Sequence, residues 1–162
     1  MPRVAVVMGS DSDLPVMTKA IDVLKEFGIT PDVSVASAHR SPDRVAQFAR
    51  DAADNGIEVI IAGAGMAAAL PGAIAAHTHL PVIGVPLSGS PLQGTDALYA
   101  MVQMPPGIPV ATVGIDAATN AALLAVQVLA LNDAGLAKSI CDYRVQMATR
   151  VEQRSQELQK HL

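Results

Sequence analysis

The chain has 162 residues, 51% of them apolar, and a formal net charge of −4; a single domain of this size buries about 70% of its unfolded surface. With two Phe, two Tyr and no Trp, the core must be packed from aliphatic side chains. An acidic chain without stacking aromatics excludes nucleic acid as the expected partner.

A lone cysteine, Cys141, rules out an internal disulfide framework and suits a reducing compartment. No unbroken apolar run reaches the roughly 18 residues of a spanning helix, so no membrane insertion is expected. The surplus hydrophobicity is instead expected to cover interfaces between subunits. The opening residues lead straight into a strand, without the basic and apolar segments of a leader, which sets the expected location as the cytoplasm.

In chain order, "RVAVVMG" reads as a first strand ending at Gly9. Asp13 is the expected cap of the following helix, with Pro15 in its first turn. Met17, Ile21 and Leu24 recur there at helical spacing, and Gly28 closes the segment. A second strand spans Asp32 to Ala36. The next helix is expected to start with Ser41 as cap and Pro42 at its first position, turning Val45, Phe48, Ala49 and Ala52 inward. "IEVIIAG" is apolar on both faces, as a central parallel strand is. Ala67 to His77 reads as a small-residue helix broken early by Pro71-Gly72. "PVIGVP" and "IPVATV" are the fourth and fifth strands, joined by a long connection, Ser88 to Gly107, with a short helix around Asp96 to Val102.

Two helices close the chain. "AATNAALLAVQVLAL" is apolar nearly all round, so both its faces need cover. The last helix, Leu136 to about Lys160, carries Leu136, Ile140, Tyr143, Met147, Val151 and Leu158 along one stripe. At roughly 35 Å it spans the width of a domain, so residues 136–162 are expected to pack on a neighbouring subunit of a homo-oligomer. Regular alternation of strand and helix, without repeats or linkers, predicts one three-layer α/β/α domain over residues 1–162 with a central parallel sheet.

Ligands of such sheets bind beyond the carboxyl ends of the strands, where three turns carry unusual residues. "GSDSD" lacks the lysine of a triphosphate loop. Serine and aspartate open helices routinely, so alone it reads as capping; its hydroxyls and amides nevertheless suit a phosphate, and Asp13 could accept bonds from ribose hydroxyls. "GAGMAA" fits G-x-G-x-x-A, but no acidic residue follows about 20 positions on, where "VIGVPLSG" stands. Its glycines read as letting a ligand approach the backbone and its alanines as a small, dry wall.

"SAHRSPD" is the sharpest feature. Arg40 offers a forked donor for phosphate, Ser37 a further donor, and an imidazole beside an anion site can act as acid and base. His77 and His79 have no third ligand at metal spacing. Cys141 and the methionines form no constellation.

The ordered set "VMGSDSD", "SAHRSPD", "VIIAGAG", "ALPG", "PVIGVP", "VQMPPGIPVATV" and "NAALLA" closely resembles the N5-carboxyaminoimidazole ribonucleotide mutase family, from about residue 3 to residue 132 and more loosely to the end. The resemblance implies a flavodoxin-like fold, a homo-octamer with sites between subunits, and a step of purine biosynthesis. In that step a carboxylate moves from the exocyclic nitrogen of an aminoimidazole ribonucleotide to carbon 4, with no cofactor and no metal. It further implies that Ser10 and Asp13 contact the substrate, that Ser12, Ser37 and Arg40 hold its phosphate, that His39 is the general acid/base, and that Gly65 to Leu70, with Gly65, Ala67, Ala68 and Leu70 as its contacts, lines the pocket for ring and carbon dioxide. Two residues depart from the family's common "GAGGAAHLPG": Met66, and Ala69 in place of a second histidine. A related group that carboxylates the aminoimidazole ribonucleotide directly tends to carry "SAHK", so Arg40 favours the mutase. A non-catalytic nucleotide- or flavin-binding module on the same fold is the third reading, although no aromatic residue lies on the three turns.

Overall fold

The computed structural model describes residues 3–161. Strands and helices alternate: β1 (Val4–Met8), α1 (Leu14–Glu26), β2 (Asp32–Val35), α2 (Pro42–Asp51), β3 (Val59–Gly65), α3 (Leu70–Ala75), β4 (Val82–Leu87), α4 (Thr95–Val102), β5 (Ala111–Thr112), α5 (Ala118–Ala130) and α6 (Ala134–Gln159). The sheet order is β2-β1-β3-β4-β5, and every pairing is parallel. That is the flavodoxin-like arrangement, whose strand order reverses between β1 and β3.

Each strand residue faces one of two cores because side chains alternate across a sheet. Val4, Val6, Met8, Ile61 and Val85 pack beneath α1 and α5 with the start of α6. Ala5, Val7, Ile60, Ala62 and Val82 pack beneath α2, α3 and α4. The central strands β1, β3 and β4 are buried almost throughout, which is why they read as continuous apolar runs. Gly63 belongs to this packing and not to a ligand site. A Cβ there would lie 2.5 Å from Met17 Sδ, so the missing side chain lets α1 settle on the sheet.

Four local expectations need correcting. Asp13 makes no side-chain cap for α1; its carboxylate turns back to the Ser10 amide at 2.9 Å and closes a capping box around the short 3-10 turn Asp11–Asp13. Ser41 occupies the cap position of α2 without capping it, because its hydroxyl donates to the Ser37 carbonyl at 3.1 Å and accepts from the Ser37 amide. Pro71 opens α3 instead of breaking a longer helix, since a proline in the first turn lacks only an amide that would be unpaired anyway. The fifth strand has just two ladder residues, Ala111 and Thr112. Beyond them the chain still follows β4, with Val113 N donating to Gly84 O and Asp116 N to Pro86 O.

Candidate active site

The carboxyl ends of the strands surround a cavity of about 810 Å³, at the switch point where ligands of such sheets bind. All three turns singled out in the sequence meet in it, and so do the turns after β4 and β5.

The β1 turn brings Ser10, Ser12 and Asp13. The Ser12 hydroxyl donates to Ser10 Oγ at 3.0 Å, so two hydroxyls face the cavity side by side. Asp13 is half-buried, and that burial raises its pKa above the ordinary aspartate value of 3.8. The amides of Ser10 and Gly9 counter the shift in part, while the Asp11 charge adds to it.

The β2 turn brings Ser37, His39 and Arg40. Ser41 locks this turn through its two bonds to Ser37, and the Arg40 amide bonds Ser37 Oγ at 3.2 Å. The Arg40 side chain extends toward the β1 turn, reaching the Gly9 carbonyl at 3.5 Å. One guanidinium therefore reaches between the two serine-bearing turns, and a planar forked donor is of the kind that suits carboxylates and phosphates. His39 stands exposed on the cavity wall and forms no hydrogen bond with the described residues.

The β3 turn supplies the apolar side. Gly65, Ala67, Ala68 and Leu70 line it, with Ala64 and Leu87 behind them. Ala68 and Leu70 are buried, whereas Ala67 and Ala69 are exposed to the cavity mouth. Met66 lies at the rim with φ 56°, a left-handed backbone that costs a side-chain-bearing residue roughly 1–2 kcal/mol. A hydrophilic, cation-bearing end thus faces a small-residue apolar end across one cavity.

The ten residues expected from the sequence all line this cavity. Sequence reasoning missed Ser88, Gly89 and Asp116, which line it too. The signal was present: a site beyond the carboxyl ends of a parallel sheet draws on every strand, and "PLSG" and "GID" follow the fourth and fifth. A second concavity, about 900 Å³, lies around Phe27, Pro31 and Leu136. The one cation on its wall, Arg3, is engaged by Glu58 and Asp133. His77 and His79 join no group of three or more candidate metal ligands among the described residues.

A family model described as AIR carboxylase matches residues 3–150. The chain belongs to the AIR carboxylase family. Among its relatives, the N5-carboxyaminoimidazole ribonucleotide mutase of Thermotoga maritima is 51% identical over 160 residues, 99% of this chain and 94% of that one. The phosphoribosylaminoimidazole carboxylase of Saccharomyces cerevisiae is 51% identical over 158 residues, 98% of this chain but 28% of the longer yeast protein. In three dimensions this AIR carboxylase family member matches the crystal structure of Treponema denticola PurE with a TM-score of 0.88 at 30% identity, covering 98% of this chain and 99% of that one.

Proposed function

We propose that the chain is an isomerase of purine biosynthesis that converts N5-carboxyaminoimidazole ribonucleotide to 4-carboxy-5-aminoimidazole ribonucleotide. The observation that carries the reading is the mixed lining of one cavity, which holds His39, an Arg40-serine cluster and the apolar Ala67, Ala68 and Leu70. Relatives named for this mutase activity align over nearly their whole length.

In this reading Arg40, Ser12 and Ser37 hold the substrate phosphate, and Ser10 and Asp13 contact the ribose. The aminoimidazole ring then points toward Gly65 and the alanine wall. His39, in its imidazolium form, donates a proton to the exocyclic nitrogen. The N–carboxyl bond breaks and carbon dioxide is released beside carbon 4, leaving a neutral aminoimidazole. Electron density from the amino group makes carbon 4 nucleophilic, and it bonds to the same carbon dioxide. Neutral His39 removes the carbon 4 proton and regains its starting state. One proton is given and one recovered, so a single histidine suffices. Carbon dioxide offers little for a polar group to grip, so retention depends on a small, dry wall, which alanine side chains provide. The carboxyl transfer consumes no ATP and moves no electrons to a redox partner.

The same reading includes assembly as a homo-octamer in the cytoplasm, with the far part of α6 on a neighbouring subunit. Met147, Val151 and Leu158 are exposed on that helix, and no helix among the described residues is long and apolar enough to cross a membrane.

The test is turnover of the carbamate, without ATP or added metal, in the parent and His39→Asn. The parent is expected to form the 4-carboxy product, and the variant to lose on the order of a hundredfold or more. Turnover restricted to aminoimidazole ribonucleotide with bicarbonate would move the chain to the direct carboxylases. No turnover of either would overturn the enzymatic reading.

A further inference from the structure

The turns after β4 and β5 carry a contact that none of the roles above uses. Asp116 accepts from the Ser88 amide through Oδ1 at 3.0 Å and from the Ser88 hydroxyl through Oδ2 at 2.5 Å. Both carboxylate oxygens thus grip one residue 28 positions away. Asp116 is itself fixed, its amide donating to Pro86 O at 2.9 Å, and it adopts a left-handed φ of 55°. Gly94 supports the arrangement from beneath: at φ 85°, a Cβ there would come within 2.7 Å of Ile115 Cγ2 and 3.2 Å of Ser88 Cα. Ser90, buried, ties the same loop to the start of α4 by donating to Asp96 Oδ1 at 2.9 Å.

The clamped segment is a wall of the cavity. Leu87 is the register partner of Gly65 across the β3–β4 pair, and Leu87, Ser88 and Gly89 line the same cavity as Gly65 to Leu70. Ser88 and Gly89 are exposed and follow directly on the end of the β4 ladder, so the two carboxylate bonds hold the first residue past the strand. In the sheet order the β4 turn adjoins the β3 turn and lies three strands from the β2 turn that carries Arg40, so a shift of this segment would act first on the apolar wall.

We propose that Asp116 is a positioning residue which, through Ser88, keeps the β4 turn closed against the β3 turn and so retains carbon dioxide between its release and its recapture. The inference rests on the carboxyl-transfer reading given above. Asp116 touches no reacting atom in it; its effect is on which way the freed aminoimidazole goes. With the wall closed, carbon 4 captures the carbon dioxide. With the wall loose, carbon dioxide diffuses away and aminoimidazole ribonucleotide leaves as a by-product.

The experiment is single turnover of N5-carboxyaminoimidazole ribonucleotide, measuring both the 4-carboxy product and released aminoimidazole ribonucleotide, with spontaneous decarboxylation subtracted from an enzyme-free control. Asp116→Gly removes both bonds and keeps the left-handed backbone unstrained. Ser88→Ala removes one bond, and Asp116→Asn retains an acceptor for the Ser88 amide. In Asp116→Gly the ratio of by-product to product is expected to rise on the order of tenfold over the parent, within the range that small misplacements produce. Ser88→Ala should rise less, and Asp116→Asn should return most of the way to the parent. A purely structural turn would lower the melting temperature or total activity in Asp116→Gly and leave the ratio at the parental value; that result overturns the proposal. Should Asp116→Gly fail to fold, the ratio in Ser88→Ala decides alone, an unchanged ratio again overturning it. Failure of the parent to convert the carbamate sinks the functional reading, a different outcome from normal turnover with an unaltered ratio.

Discussion

At the scale of single residues, the ribose contact proposed for Asp13 sets binding against stability. Its carboxyl is held above the ordinary pKa of 3.8, chiefly by burial, so the folded state disfavours the charged form. A carboxyl whose folded pKa is raised binds a proton more readily folded than unfolded. Its contribution therefore favours folding in acid and opposes it once pH rises through the folded pKa. Asp13→Asn removes the charge while an amide oxygen can still accept from the Ser10 amide. The expected outcome is a melting temperature at neutral pH no lower than the parent's, with KM for the ribonucleotide raised on the order of tenfold or more, as loss of a charged hydrogen-bond acceptor implies. Thermal unfolding and steady-state kinetics on the same preparation check both halves, and a lower melting temperature with unchanged KM would reverse the argument. At this scale the cavity residues were legible because Ser, His, Arg and Asp crowd two short turns and Gly and Ala a third, in an order that resembles a known family. Asp116 was not, because its carboxylate meets a partner 28 residues away, which no local spacing reveals.

At the scale of elements, one ion-pair group joins the starts of β1, β3 and α6. Arg3 Nε donates to Glu58 Oε1 at 2.6 Å and Arg3 Nη1 to Asp133 Oδ2 at 2.7 Å. Asp133 also caps α6, accepting from the Leu136 amide at 3.1 Å. That amide first, and the Arg3 guanidinium second, hold the Asp133 carboxyl below the ordinary 3.8. The sign is opposite to that of Asp13. A carboxyl with a lowered folded pKa stabilises above its unfolded value, and the contribution is lost as pH falls through the folded one. Asp133→Asn keeps a capping oxygen and loses this titration, so its stability is expected to fall less steeply than the parent's as pH drops below 3.8. Urea unfolding at a series of acid pH values measures it; parallel curves would show that Asp133 contributes nothing there. Four strands were legible as apolar runs bounded by Gly and Pro, and β2 as a short alternating stretch, but element ends were less so. Pro71 reads equally as a breaker or an opener until the β3 turn before it is seen, and the shortness of β5 depends on which amides find β4.

For the whole molecule, the question is what covers the apolar surface a single chain leaves open. The 26-residue α6, about 39 Å long at 1.5 Å per residue, divides in two. Leu136 is buried, Ile140 packs on the core, and Tyr143 meets the Phe27 ring with centroids 5.6 Å apart. Past that point Met147, Val151 and Leu158 are exposed, the last two by 67% and 62%. The sequence stripe therefore records two surfaces, one facing the helix's own domain and one facing outward. Val33 and Val35 on the edge strand β2 and Leu131 at the end of α5 are also exposed. The octamer proposed above would cover such separated positions through more than one contact with neighbours. Sedimentation equilibrium is expected to give a species near eight times the 16.7 kDa chain. The double variant Val151→Glu, Leu158→Glu places charges on the outward half of α6 alone and should lower that mass while far-ultraviolet circular dichroism stays helical. A parent sedimenting at the mass of one chain would remove the need for any covering subunit, and an unaltered mass in the double variant would take α6 out of the interface.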